Sequence, residues 1–208
     1  MTSSDLLATS KTQTRSLLRG HLTKAWHKTI EKYYLKGLIN SEAGLQTFFY
    51  IELVEQFRES KVTRVVFIEP NITADGDGTP RFPDLVICNF KSMIGVVELK
   101  FTPRARPDVD KDLETLNYAA RNAHRLEVRN DRFLGPELKQ RTYPLAHDAV
   151  LCWAGVYSGS HRPLSLTDEH DAQNHFLQLD ALTSSQKNPV VLPALPKPAS
   201  EIEVDADC

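Results

Sequence analysis

Residues 82–101 read FPDLVICNFKSMIGVVELKF. Two aliphatic, β-branched runs, 82–90 and 93–101, flank Lys91 and Ser92, which predicts two strands joined by a short turn. Counted outward from that turn, Asp84 stands about eight residues back and Glu98 about six on. One bulge absorbs the difference and sets the two carboxylates almost opposite each other. Side chains alternate along a strand, so Glu98 and Lys100 share a face while Val97 and Leu99 point the other way. Three charged groups then gather at one end of a sheet otherwise built from Val, Ile and Leu.

Upstream, VTRVVFIEP (62–70) predicts another strand, closed by its proline, and NITADGDGTPR (71–81) a loop. Ser41 is placed to cap a helix over 42–59, whose apolar face is Leu45, Phe48, Phe49 and Leu53. Glu42 and Gln46 project on or beside that face, which is odd for a purely structural helix. Residues 10–37 have helical spacing of Leu17, Leu18, Leu22, Trp26 and Ile30. Lys11, Arg15 and Arg19, then Lys24, Lys28, Lys32 and Lys36, recur every four residues, with Gly20 as a break between two helices. Such a stripe is either a solvated face or a contact for a phosphate backbone, with Lys28 and Lys32 at its centre.

Downstream, Pro103 and Pro107 bound a loop that carries Arg104 and Arg106. A helix follows over 108–126, then a less regular basic stretch to about 146, then a strong strand at 149–159. The order α, β, β, β, α, β predicts an α/β fold, a small mixed sheet flanked by helices, with a crossover helix before the last strand. The expected organisation is a basic helical region over 1–40, the main domain over 41–183, and a flexible, acidic, Pro-rich tail over 184–208.

The chain has 208 residues, 41% of them hydrophobic, enough for one domain with a sizeable core. No run is long and apolar enough to span a membrane, and the first residues lack a secretory pattern, so a cytoplasmic protein is expected. Cys88 and Cys152 lie inside apolar runs and are expected as buried thiols. The net charge of −2 hides a sorted distribution, for residues 165–208 hold eight acidic and two basic side chains. The remaining chain is therefore net basic, and an anionic partner is not excluded. Asp75-Gly76-Asp77-Gly78 does not open a calcium loop of the EF-hand kind, because the position that needs Glu is Val86. The histidines show no metal-ligand spacing, and no phosphate-cradling glycine loop is present.

Two carboxylates buried together demand a counter-charge, and a divalent cation such as magnesium, bound by hard oxygen ligands, supplies it. Lys100 is then placed to handle a water or a phosphate. Pro83-Asp84 followed by Glu98-Leu99-Lys100 resembles the PD-(D/E)XK nuclease superfamily, built on a restriction-endonuclease-like αβββαβ core. Pro107-Asp108 with Glu137-Leu138-Lys139 matches as well, but there Asp108 begins a helix. The resemblance covers roughly 41–157 and implies metal-dependent hydrolysis of nucleic acid, DNA ahead of RNA. It implies Asp84 and Glu98 as ligands of Mg2+ (or Mn2+), the Leu99 carbonyl as a further oxygen, and Lys100 as the water-activating residue. It also implies a helical glutamate, with Glu42 first and Glu52 second, while Arg104, Arg106, Lys28 and Lys32 are candidates to meet the nucleic acid. A non-catalytic binding or assembly module of the same fold is the alternative, and a second copy or a protein partner stays open.

Overall fold

The computed structural model describes residues 3–74, 80–129, 142–159, 176–183 and 191–194, with side chains described from residue 16 to 183. The chain opens with helix α1 (Ser3–Thr29), whose last turn passes into a π-helical turn, Ile30–Tyr34. Gly20 does not break α1. Its position is exposed, and a lone glycine costs a helix only about 1 kcal/mol, which the buried Leu18, Leu22 and Trp26 around it outweigh. Helix α2 (Glu42–Glu59) begins where Ser41 was expected to cap it, the Ser41 Oγ accepting from the Gly44 N–H at 3.1 Å.

Among the described residues eight strands follow in two groups. Strands β1 (Val65–Ile68), β3 (Leu85–Cys88) and β4 (Met93–Thr102) pair antiparallel in the order β1-β3-β4. Helix α3 (Asp110–Arg121) then carries the chain over to β6 (Thr142–Ser158), which lies parallel to β4. The next strand, β7 (Phe176–Thr183), is parallel to β6, and β8 (Val191–Ala194) closes antiparallel on β7. A second group, β2 (Ile72–Ala74) and β5 (Leu126–Arg129), attaches to the first residues of β6.

The molecule is thus mixed α/β. Helices α1 and α2 cover one face of the sheet, where Leu22, Trp26, Phe49 and Leu53 meet Val97 and Leu99 in one core. On the other face α3 contributes Leu116 and Ala119 against Val96, Leu151 and Trp153. Alternation along β4 from Val96 to Leu99 explains the split, since neighbouring positions there go to different cores. Among the described residues no helix is long and apolar enough to cross a membrane. Cys88 and Cys152 are buried free thiols. Burial pushes the Cys88 thiol up to about 12.

Several expectations need correction. The stretch taken as a loop at 71–81 contains β2, and the stretch taken as irregular after α3 contains β5 and the start of β6. Helix α3 ends at Arg121 rather than 126, and β1 is shorter than 62–70. The interval before 184 holds β7, and 191–194 of the expected tail is a strand, paired to β7 through Asp180 to Thr183. The rest of that tail lies outside the described residues.

Candidate active site

The hairpin of β3 and β4 fixes the centre. Its register pairs Leu85 with Val97, and one step further sets Asp84 across from Glu98. The count from the turn closes because the register shifts between Ile87 and Cys88. Asp84 is held at several points. Its Oδ2 accepts the Leu99 N–H at 2.6 Å. Its carbonyl accepts from the Glu69 N–H at 3.0 Å and from Gln46 Nε2 at 3.2 Å. Glu69 takes a left-handed backbone (φ 46°) to make that bond, a conformation rare for a residue with a side chain.

Glu98 is 7% exposed. Burial is the main force that raises its carboxyl to about 9, and the charges of Asp84 and Asp112 add to it. Burial likewise raises Asp84 to about 6, against the pull of the Leu99 N–H. The two carboxyls stand across the hairpin from each other, and their interaction favours a proton on Glu98 over one on Asp84. Glu42 approaches from the start of α2, its Oε2 accepting the Phe101 N–H at 3.1 Å. Glu52 does not. Ten residues along the helix is about 15 Å of axis, and Glu52 is bound there by Lys32 Nζ at 3.0 Å and the Tyr33 hydroxyl at 2.9 Å. Leu99 keeps its side chain in the opposite core and offers its backbone to the site.

Lys100, partly exposed on the Glu98 face, forms an ion pair at 3.5 Å with Asp112 near the start of α3. Asp112 is a buried carboxylate, and the Trp153 Nε1–H donates to its Oδ2 at 3.2 Å. Burial raises the Asp112 carboxyl while Lys100 and the indole hold it down. Sequence inspection passed over Asp112, because Asp108, Asp110 and Asp112 look alike as acids that favour a helix N-terminus. A signal was present. The buried positions of α3 are Asp112, Thr115, Leu116 and Ala119, a helical stripe that Asp112 begins.

The remaining candidates fall in two places. Arg104 and Arg106 are exposed in the turn after β4, and that turn is pinned by Ala105, whose carbonyl accepts the Ser158 N–H at 3.0 Å. Lys28 and Lys32 are instead paired with carboxylates of α2, Lys28 with Glu59 at 3.2 Å. The basic stripe on α1 therefore spends at least two of its cations within the fold.

Among the described residues no three His, Cys, Asp or Glu side chains stand together as a ready-made metal group. Asp84 and Glu98 nonetheless fit a hard divalent cation. They are two oxygen donors held together at an energetic cost that such an ion removes, and magnesium commonly takes one or two carboxylates and fills its shell with water and phosphate. No family model, no curated protein and no solved structure matches the chain.

Both carboxyls hold their protons more tightly in the folded chain than their ordinary values of 3.8 and 4.5. The stability they lend is complete below those values and is lost as pH rises through about 6 and about 9. Without metal, the melting temperature should fall between about pH 5 and pH 9. Magnesium should raise it more at the upper end, since the cation competes with the proton on Glu98. Differential scanning fluorimetry with EDTA and with Mg2+ across that range checks this. A magnesium increment that is equal at both ends speaks against the Asp84–Glu98 pair as the binding place.

Proposed function

We propose that this chain is a metal-dependent nuclease of the PD-(D/E)XK kind, with a restriction-endonuclease-like core formed by α2, β1, β3, β4, α3 and β6. The observation that carries the proposal is the placement of Asp84 across from Glu98 at one end of the sheet, with Lys100 on the Glu98 face and Glu42 bonded to the Phe101 N–H on the same strand. Two carboxyls held together by burial, with Lys111 offsetting only part of the cost at Glu98, mark a place suited to something positive. Arg104 and Arg106 offer cations at the sheet end just past Lys100, where a phosphate backbone can approach.

In this reaction a bound Mg2+ or Mn2+ supplies Lewis acidity toward the phosphoryl oxygen and lowers the pKa of a coordinated water. The protein groups do the rest. Asp84 and Glu98 hold the ion, and the Leu99 N–H fixes the orientation of the Asp84 carboxylate. Lys100 orients the attacking water or stabilises the negative charge that grows on the phosphate. Glu42, anchored on the Phe101 N–H, would add negative charge to the site. The partner is nucleic acid, DNA ahead of RNA, in the cytoplasm.

The test uses single-stranded and duplex DNA and RNA with Mg2+, with Mn2+ and with EDTA. Cleavage of one of the four that requires metal is the expected result. In the Lys100→Ala variant it should drop by about a thousandfold, within the range lost with a general acid–base or electrostatic group. Cleavage that persists in EDTA, or an unchanged rate in the variant, overturns the proposal.

A further inference from the structure

The site rests on a support that the motif does not include. Across the sheet from Lys100, its partner on β6 is Gly155, and the partner of Glu98 is Trp153. A Cβ built on Gly155 would stand 2.2 Å from Cη2 of the Trp153 indole and 2.8 Å from two further ring carbons. The ring therefore lies down over the bare backbone of Gly155 and fills the space that any other residue's side chain would take. From that place its Nε1–H reaches Asp112 on α3, and Asp112 in turn meets Lys100. Trp153 is fully buried, and its ring is backed by Tyr157 at a centroid separation of 5.8 Å. The plate does not wander.

We infer that Asp112 is a positioning residue, oriented by Trp153 over Gly155, which holds the Lys100 ammonium over the sheet beside Glu98. This rests on the nuclease reading for its consequence, though not for its geometry. An unrestrained lysine has four rotatable bonds, and two candidates for its ammonium are near: the Asp84–Glu98 pair, where it would compete with a cation, and solvent. Asp112 supplies a third place, on the α3 side, and leaves the carboxylate pair open to metal. The lysine then needs no rearrangement when substrate arrives. Three elements that meet only in the finished fold, β4, α3 and β6, thus set one ammonium.

Asp112→Asn keeps the shape and the possibility of a bond from Trp153 but removes the charge. Its kcat on DNA oligonucleotides should fall about a hundredfold, the cost of an ångström-scale misplacement. KM for the oligonucleotide should be unchanged, and the magnesium-induced rise in melting temperature should persist. Asp112→Glu, which keeps the charge, should recover part of the rate, and Trp153→Phe, which loses both the donor and the outer ring over Gly155, should lower the rate as well. An unchanged kcat in Asp112→Asn overturns the inference. So does loss of the magnesium response, which would make Asp112 a ligand of the metal. A crystal structure of the same variant serves whether or not the wild type cleaves any substrate. The Lys100 Nζ should leave its place above the sheet, and an ammonium that stays there overturns the inference, while failure of wild-type cleavage alone overturns the nuclease reading.

Discussion

Replacing Glu98 with glutamine should yield a protein that is inert and, without metal, more stable than the wild type. Glutamine matches the neutral form of a carboxyl that burial and Asp84 raise to about 9. Asp84 then keeps the Leu99 N–H as a donor and has a glutamine amide as a second. The wild type loses the Glu98 contribution to stability as pH climbs above 4.5 toward about 9, and the variant has no such contribution to lose, so the gap should widen with pH. At pH 8 a gain of roughly 5 °C is expected for a domain of this size. On the nuclease reading the same change removes a charged metal ligand. A loss of several kcal/mol in stabilisation of the phosphoryl charge corresponds to a rate about a thousandfold lower or worse. Paired melting curves in EDTA and in Mg2+, beside a cleavage time course, read both effects. A variant less stable than the wild type at pH 8 in EDTA would show that the buried carboxylate is compensated in some other way.

The second large effect is expected at a residue that carries no chemistry. Gly155→Ala forces its methyl into the Trp153 ring, where the separations of 2.2 and 2.8 Å leave no room. The ring cannot yield as a flexible chain end would, being fully buried in the core between α3 and the sheet. Overpacking of this kind costs on the order of 1–3 kcal/mol, and displacement of the indole adds the loss of its bond to Asp112, about 1 kcal/mol more. A fall of about 3 kcal/mol in urea titration is expected. Gly95→Ala is the control. There the methyl would meet Ile87 Cδ1 and Leu18 Cδ2 at 3.1 Å, the ends of side chains that can give way. If the two variants lose equal stability, the plate over Gly155 is not the constraint described.

The hairpin was legible because its information is local. The aliphatic runs, the turn between them and the alternation of side chains determine which groups share a face, and the bulge needed to align Asp84 with Glu98 followed from counting. Helix α2 was legible for the same reason, since Ser41 announces its start. Strands β2 and β5 were not. They are three and four residues long and owe their existence to each other and to β6, partners distant in sequence. Strand β7 hides its character because Gln178 and Asp180 interrupt its apolar pattern. Asp180 is buried and satisfied by the Tyr157 hydroxyl at 2.8 Å and by the Gln178 amide, a compensation that only the fold reveals. Asp112 escaped for a related reason. One-dimensional spacing shows that an acid begins the helix, but its inward direction depends on where α3 crosses the sheet.

The parallel pairing of β4 with β6 bears on the order in which the chain leaves the ribosome. Asp84, Glu98 and Lys100 belong to a hairpin that closes within twenty residues, and a nascent chain can form it early. The far edge of β4 stays bare until residues 150–157 are made, and Trp153 and Gly155 arrive with that same stretch. A product terminated in α3 would carry the whole acidic motif with no floor beneath its lysine. Synthesis therefore delivers the three charged groups first and their alignment last.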